Sequence, residues 1–192
     1  MQVKITRLTD WRLVADEARN TAWKAPISHE PSSTWKRKIL LSRHSPIESL
    51  MFRIELADIP YWVSVHLVRH KVGITHWVSS QRPDRSPTGA SRHSLLQDAL
   101  VKHDMVLNAQ AIIAISKKRL CAKASPETRD VWRSVKQEMY RIGETELADC
   151  MMPECGWSNY SFCPEMQPCG CCPSLFSALE PSFTPPPQSQ HT

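Results

Sequence analysis

Apolar and polar residues alternate over Met1–Leu8, and again through Leu50, Phe52, Ile54 and Leu56. A period of two predicts a strand with one buried face in each place. Between them, Trp11, Leu13, Val14 and Ala18 recur at helical spacing within Asp10–Ala22, with Thr9 or Asp10 as N-cap. Pro26 and Pro31 make Ala25–Ser33 a loop, and Trp35–Ser42 reads as a short helix. Ser45-Pro46 opens a further element, because proline suits the first helical position. Asp58-Ile59-Pro60 is expected to break the second strand. Tyr61–His70 then predicts a short helix from Trp62, Val63, Val65, His66 and Val68, closing on Arg69-His70-Lys71. Gly73 marks the turn out, Thr75–Ser80 is extended, and Pro83–Gly89 is rich in turn formers.

The second half reads as mostly helical. Met105–Arg119 carries Val106, Leu107, Ala111, Ile112, Ala114 and Ile115, which predicts a centrally packed helix. Ser125-Pro126-Glu127 combines an N-cap, a first-position proline and a first-turn acid. That helix runs through Trp132, Val135 and Met139 to Ile142 and stops at Gly143. Thr145–Met152 is a further short helix. A Cys-rich segment follows over residues 151–180, and from Pro181 the composition is that of a disordered tail, 181–192.

At 192 residues, 41% hydrophobic and 22% charged, the chain is long and apolar enough to bury a core, which excludes wholesale disorder. No window reaches the ~18–20 uninterrupted apolar residues of a membrane span. The run Ala109–Ile115 ends at Ser116-Lys117-Lys118-Arg119, and the first residues lack a signal-peptide core. A cytoplasmic protein without a membrane anchor is expected. The net charge of +5 (24 Lys+Arg against 19 Asp+Glu) is spread along the chain rather than gathered into a stripe. No nucleic-acid partner is therefore expected. With five glycines and no glycine-rich phosphate loop, a phosphate-bearing ligand must be held by side chains and helix ends.

Cys121 stands apart from the six cysteines between Cys150 and Cys172. An odd total argues against a disulfide framework. The cluster has no pair of C-x-x-C knuckles, so it reads as reduced thiols in a compact segment. A structural metal is the alternative, and no metal ligand is assigned. The most unusual local chemistry is Arg69-His70-Lys71, with His66 one turn earlier and His76 beyond it. A helix C-terminus favours cations by ~0.3–1 kcal/mol, which explains part of the cluster. Packing two permanent charges beside a histidine is repulsive unless an anion is present, and a phosphate is the natural one. No acid–base partner for His70 lies nearby in sequence, and no G-x-S-x-G, H-E-x-x-H or Cys–His nucleophile pattern occurs.

Ser42-Arg43-His44-Ser45-Pro46-Ile47-Glu48, Asp58-Ile59-Pro60, Val68-Arg69-His70-Lys71 and Ser79-Ser80-Gln81-Arg82 together resemble the flavin-dependent thymidylate synthases, also called thymidylate synthase complementing proteins. That family's signature is Arg-His-Arg, a seven-residue spacer, Ser, and an Arg two further on. Lys71 replaces the last basic residue, and Ser79 keeps the spacing. Alternatively, Ser80-Gln81-Arg82 supplies the Ser-x-Arg pair after a one-residue insertion. A second block resembles the family's later Asn-Ala-Arg-Ser-Leu helix: Asn108-Ala109-Gln110-Ala111-Ile112, Arg119 eleven residues after Asn108, then Ala124-Ser125-Pro126-Glu127-Thr128-Arg129. The two blocks span residues 42–130.

The resemblance implies an α+β domain over 1–150, an antiparallel sheet flanked by helices. It implies FAD as cofactor, dUMP as substrate, methylenetetrahydrofolate as one-carbon donor and NADPH as reductant. It further implies a homotetramer whose active sites are shared between subunits. Carried over by position, Arg69, His70, Lys71, Ser45, Asn108 and Gln110 would touch FAD, with Gln110 in place of an arginine. Arg119 would contact the pyrimidine and activate its ring. Ser79, Ser80 and Arg82 would line the nucleotide phosphate site, and His66 stands where the family has a substrate-contacting glutamine. His76-Trp77 replaces an Asn-Glu pair. A Glu-x-Ala-Arg phosphate-binding segment has no counterpart between Arg92 and Asn108; the nearest analogue, Glu146-Leu147-Ala148-Asp149, ends in aspartate. Two other readings stay open: a divergent relative acting on another pyrimidine, and a zinc-stabilised nucleic-acid-binding module built on the Cys cluster.

Overall fold

In a computed structural model that describes residues 1–86 and 88–175, the N-terminal alternation becomes strand β1 (Gln2–Arg7). Helix α1 (Trp11–Asn20) follows, capped by Asp10, whose Oδ1 accepts from Leu13 N at 3.0 Å. Helix α2 (Ser33–Ser42) and a 3-10 turn (Ser45–Ser49) lead into β2 (Met51–Pro60). Helix α3 (Tyr61–Leu67), β3 (Ile74–Val78) and β4 (Leu100–Asn108) come next. Helices α4 (Ala109–Arg119), α5 (Pro126–Arg141) and α6 (Thr145–Cys150) complete the regular elements. The four strands form one antiparallel sheet in the order β1-β2-β4-β3, so this is an α+β fold with helices packed on the sheet. The expected tail over 181–192 lies outside the described residues.

Three boundaries differ from the sequence expectation. Helix α3 ends at Leu67 rather than His70, so Arg69-His70-Lys71 lie in the loop beyond it. The apolar run from Met105 is not one helix: β4 supplies its first four residues, and α4 begins at Ala109. Val101, His103, Met105 and Leu107 point alternately inward, a period of two that merges into the helical pattern after Asn108. Asp58-Ile59-Pro60 does not end β2. The register shifts between Leu56 and Ile59, and Asp58 adopts φ +57°, a bulge that absorbs the break and lets pairing resume. Pro60, the last residue of the strand, tolerates the missing N–H there.

The core gathers Trp11, Phe52, Ile54, Leu56, Met105, Leu107, Ile112 and Trp132, all essentially inaccessible. Each such side chain contributes about 1.5–3 kcal/mol of apolar burial. Both buried indoles find acceptors: Trp132 Nε1 donates to Ser116 Oγ at 2.8 Å, and Trp11 Nε1 donates to Glu144 Oε2 at 3.0 Å. Glu144 also accepts from Arg7 Nη1 at 2.6 Å, which ties α6 to β1. Ser125 takes the N-cap position of α5, yet its hydroxyl donates to Thr128 Oγ1 rather than accepting from the helix. Cys155, Cys163 and Cys172 form a second, separate buried cluster.

Candidate functional site

The chain leaving α3 passes through Arg69, His70, Lys71 and Val72 to Gly73, and both ends of α4 are fastened to it. At the C-terminal end of α4, Arg119 Nε donates to His70 Nε2 at 3.0 Å, and Nη2 donates to the His66 carbonyl at 2.6 Å. That second bond satisfies a free carbonyl in the last turn of α3. At the N-terminal end, Asn108 N donates to the Gly73 carbonyl at 3.0 Å, while its side chain caps α4 by accepting from Ala111 N at 2.8 Å. The Arg-His-Lys triplet and the Asn-to-Arg helix thus share one surface.

Gly73 makes this approach possible. Its φ is +68°, and a Cβ there would come within 2.7 Å of the Asn108 side chain. Gly73→Ala therefore strains the backbone and displaces a helix cap, with an expected loss of about 2 kcal/mol. Urea-unfolding midpoints of the two proteins check this.

The bonds fix the protonation of the histidines. Arg119 Nε only donates, so His70 Nε2 must accept, and the ring is neutral with its proton on Nδ1. Burial, then the charge of Arg119, then His76, hold His70 down at about 4. His76 Nε2 donates to the His70 carbonyl at 2.7 Å, which leaves Nδ1 to accept from His103 Nε2 at 3.0 Å. His103 is fully buried on β4, also pushed down to about 4, chiefly by burial. Its Nδ1 has no hydrogen-bond partner. His66 is shifted downward as well, first by burial and then by Arg119 and Arg69. Its Nδ1 lies 2.9 Å from Thr128 Oγ1, which joins α5 to the site.

The permanent cations of this loop lack counter-charges. Arg69 and Lys71 are exposed, and among the described residues neither takes part in an ion pair. Arg119 has Nε and Nη2 committed, which leaves Nη1 to face a ligand. Two buried polar atoms of the second block are also unpartnered: Gln110 Oε1, an acceptor on the first turn of α4, and Arg129 Nε, a donor on α5. Exposed cations without counter-ions and unpartnered buried donors and acceptors are both features that an anionic ligand with polar edges would satisfy.

Other expected residues lie apart within one chain. Ser79 is beyond the far end of β3 from Gly73, about 20 Å along the strand at ~3.3 Å per residue. Its hydroxyl accepts from Lys102 N at 3.0 Å, and with Ser80 it borders a cleft of about 490 Å³ that also includes Arg85 and Lys102. Arg82 is paired with Asp84, Nη2 to Oδ2 at 2.9 Å. Ser45 opens its 3-10 turn on a different cleft, of about 690 Å³, with Trp35, Lys38 and His44. Sequence reasoning missed His103 and the Thr128 contact. The alternation Val101-His103-Met105-Leu107 was the signal for the first, and nothing local marks the second.

Fold and site together define an α+β protein with a histidine–arginine surface joining the loop after α3 to the last turn of α4. Its fold is similar to two crystal structures of the flavin-dependent thymidylate synthase ThyX from Helicobacter pylori, each holding FAD and dUMP. One aligns with a TM-score of 0.60 at 15% identity, over 78% of this chain and 99% of that chain. The other has a TM-score of 0.61 at 16% identity, over 79% and 99%. No protein-family model matches the sequence, and no curated protein matches it. At this identity the likeness is one of fold. No helix among the described residues is long and apolar enough to cross a membrane.

Proposed function

We propose that the chain is a flavin-dependent enzyme of the thymidylate synthase type, converting dUMP to dTMP with FAD, methylenetetrahydrofolate and NADPH. The observation that carries this reading is the closure of the Arg69-His70-Lys71 loop on Arg119, with unpaired cations along one surface. FAD, when bound, supplies the redox chemistry that no side chain here can perform. Arg69 and Lys71 neutralise its phosphates. His70, held neutral, donates from Nδ1 without adding charge, and Asn108 and Gln110 offer amide groups along the cofactor. Ser45 supplies a hydroxyl.

Arg119 is the residue assigned to catalysis. Its guanidinium is oriented by His70 and the His66 carbonyl before any ligand arrives. Aimed at the uracil carbonyl region, its free edge stabilises negative charge developing on the ring and makes the neighbouring carbon nucleophilic. His66 lies beside the same surface, where it contributes to the substrate pocket. Ser79, Ser80 and Arg82 reach the nucleotide phosphate of a neighbouring protomer, which accounts for their distance from Arg119 in one chain. A homotetramer with shared sites also encloses a ligand that one short domain leaves open.

Fluorescence titration with FAD tests the reading. Stoichiometric quenching is expected, and Arg69→Ala and Lys71→Ala each weaken binding about tenfold, the value of one charge-assisted contact. No uptake of FAD by the wild-type protein contradicts it. A second reading is favoured by His66, tied to Thr128 where the resembling family has glutamine. There the enzyme keeps the flavin but acts on another pyrimidine, and bound FAD without turnover of dUMP selects it.

A further inference from the structure

Beyond the nucleotide surface, the most concentrated unassigned chemistry lies at the opposite edge of α4's last turn. The sulfur atoms of Cys155, Cys171 and Cys172 lie within 4.8 Å of one another, although these residues are up to seventeen positions apart. Cys171 Sγ and Cys172 Sγ are 3.8 Å apart. Four thiolates around a tetrahedral zinc ion at ~2.3 Å stand about 3.8 Å from each other. All these cysteines are free thiols.

A fourth sulfur borders the group. Cys163 is buried and packs with Cys155 and Cys172. Its backbone is fixed on both sides: Cys163 N donates to the Pro173 carbonyl at 2.6 Å, and Leu175 N donates to the Cys163 carbonyl at 2.9 Å. Cys169 Sγ, 3.3 Å from Cys171 Sγ, is exposed, as Cys171 is, and unlike Cys163 it does not pack in the buried cluster with Cys155 and Cys172. Cys155, Cys163, Cys169 and Cys171 all line one small cavity of about 140 Å³.

Lys117 Nζ and Lys118 Nζ reach across from α4 to Glu154 and Glu165 at 2.8 and 2.7 Å, ion pairs that hold the cysteine segment beside the last turn of α4. The segment also lacks an apolar core of its own. Its second cluster consists of cysteines alone, and a fold this small ordinarily requires a metal or disulfides.

We propose that Cys155, Cys163, Cys171 and Cys172 bind a structural zinc ion. Binding converts four thiols to thiolates and releases four protons to solvent, with no change in oxidation state. The zinc locks residues 153–175 onto the last turn of α4, through the lysine pairs that adjoin Arg119.

Metal analysis of the full-length protein, purified under reducing conditions, tests this. One zinc per chain is expected, and replacement by cobalt gives tetrahedral d–d bands with sulfur-to-metal charge transfer. Cys155→Ser, Cys163→Ser, Cys171→Ser and Cys172→Ser each lower bound zinc to about a tenth or less, while Cys121→Ser and Cys169→Ser retain it. Chelation of the wild-type protein opens the 153–175 segment to protease before the core is cut. Free reduced thiols without metal overturn the proposal. So does zinc retained by a Cys155→Ser/Cys171→Ser/Cys172→Ser variant, or a cobalt spectrum without thiolate bands. Loss of zinc from Cys169→Ser instead of Cys163→Ser overturns the assignment of the fourth ligand. Metal content is read without flavin, so this result stands apart from that of the FAD titration.

Discussion

Arg119→Ala is expected to slow dTMP formation by about 10²–10³-fold while leaving the protein folded, the loss seen when one preorganised donor is removed from a site of developing charge. The arginine is half-buried at a helix end, and its removal leaves the hydrophobic core untouched. Arg119→Lys is the sharper variant. It keeps one positive charge but cannot donate to His70 Nε2 and the His66 carbonyl together, because lysine lacks the rigid fork. Its turnover should lie close to that of alanine rather than wild type. Steady-state rates with saturating dUMP, read beside thermal midpoints, separate lost catalysis from lost stability. A change of less than about threefold in both variants removes Arg119 from the chemistry.

Acidification is expected to unfold the protein through its buried histidines. His103 and His70 titrate at about 4 in the fold, against ~6.5 when unfolded. Between those values the unfolded chain takes up protons that the native chain refuses. Stability is therefore complete above pH ~6.5 and falls as the pH drops toward 4. His103 alone contributes up to about 3 kcal/mol to that fall, and His70, closer to solvent, contributes less. The groups facing His103 are His76, which accepts its proton, and the Asp104 carboxylate, which opposes the shift only in part. Urea midpoints from pH 7.5 to 4.5 measure the slope. His103→Gln, which can still donate to His76, should flatten it. A slope unchanged in that variant places the acid sensitivity elsewhere.

Much of this architecture is written locally in the chain. The alternation through Leu50–Leu56, the Asp10 cap and the Ser125-Pro126-Glu127 start each act over a few residues, so their elements lie within a turn of where the pattern puts them. The β4–α4 junction was hidden for the same reason. Met105–Leu107 is as apolar as Ala111–Ile115, and only Asn108, an N-cap by chemistry, divides a strand from a helix there. Asp58 misled because a bulge is set by pairing across the sheet rather than by the residue alone.

The site was legible as residue types and spacing, but its connections depend on the fold. Sequence places Arg119 forty-nine residues from His70, and only the approach of the segment leaving α3 to the last turn of α4 turns that spacing into a 3.0 Å bond. His103 was silent because a buried histidine on a strand carries no motif, although it orders the ring of His76.

The central claim is that the Arg69–Lys71 loop and α4 together hold a flavin at which dUMP is methylated. The most direct measurement mixes the FAD-loaded protein anaerobically with NADPH, methylenetetrahydrofolate and dUMP, following the flavin band and the nucleotide products. Bleaching of the yellow absorbance, accompanied by dTMP, is the result the geometry predicts. A colourless protein that takes up no FAD, and forms no methylated nucleotide, contradicts it.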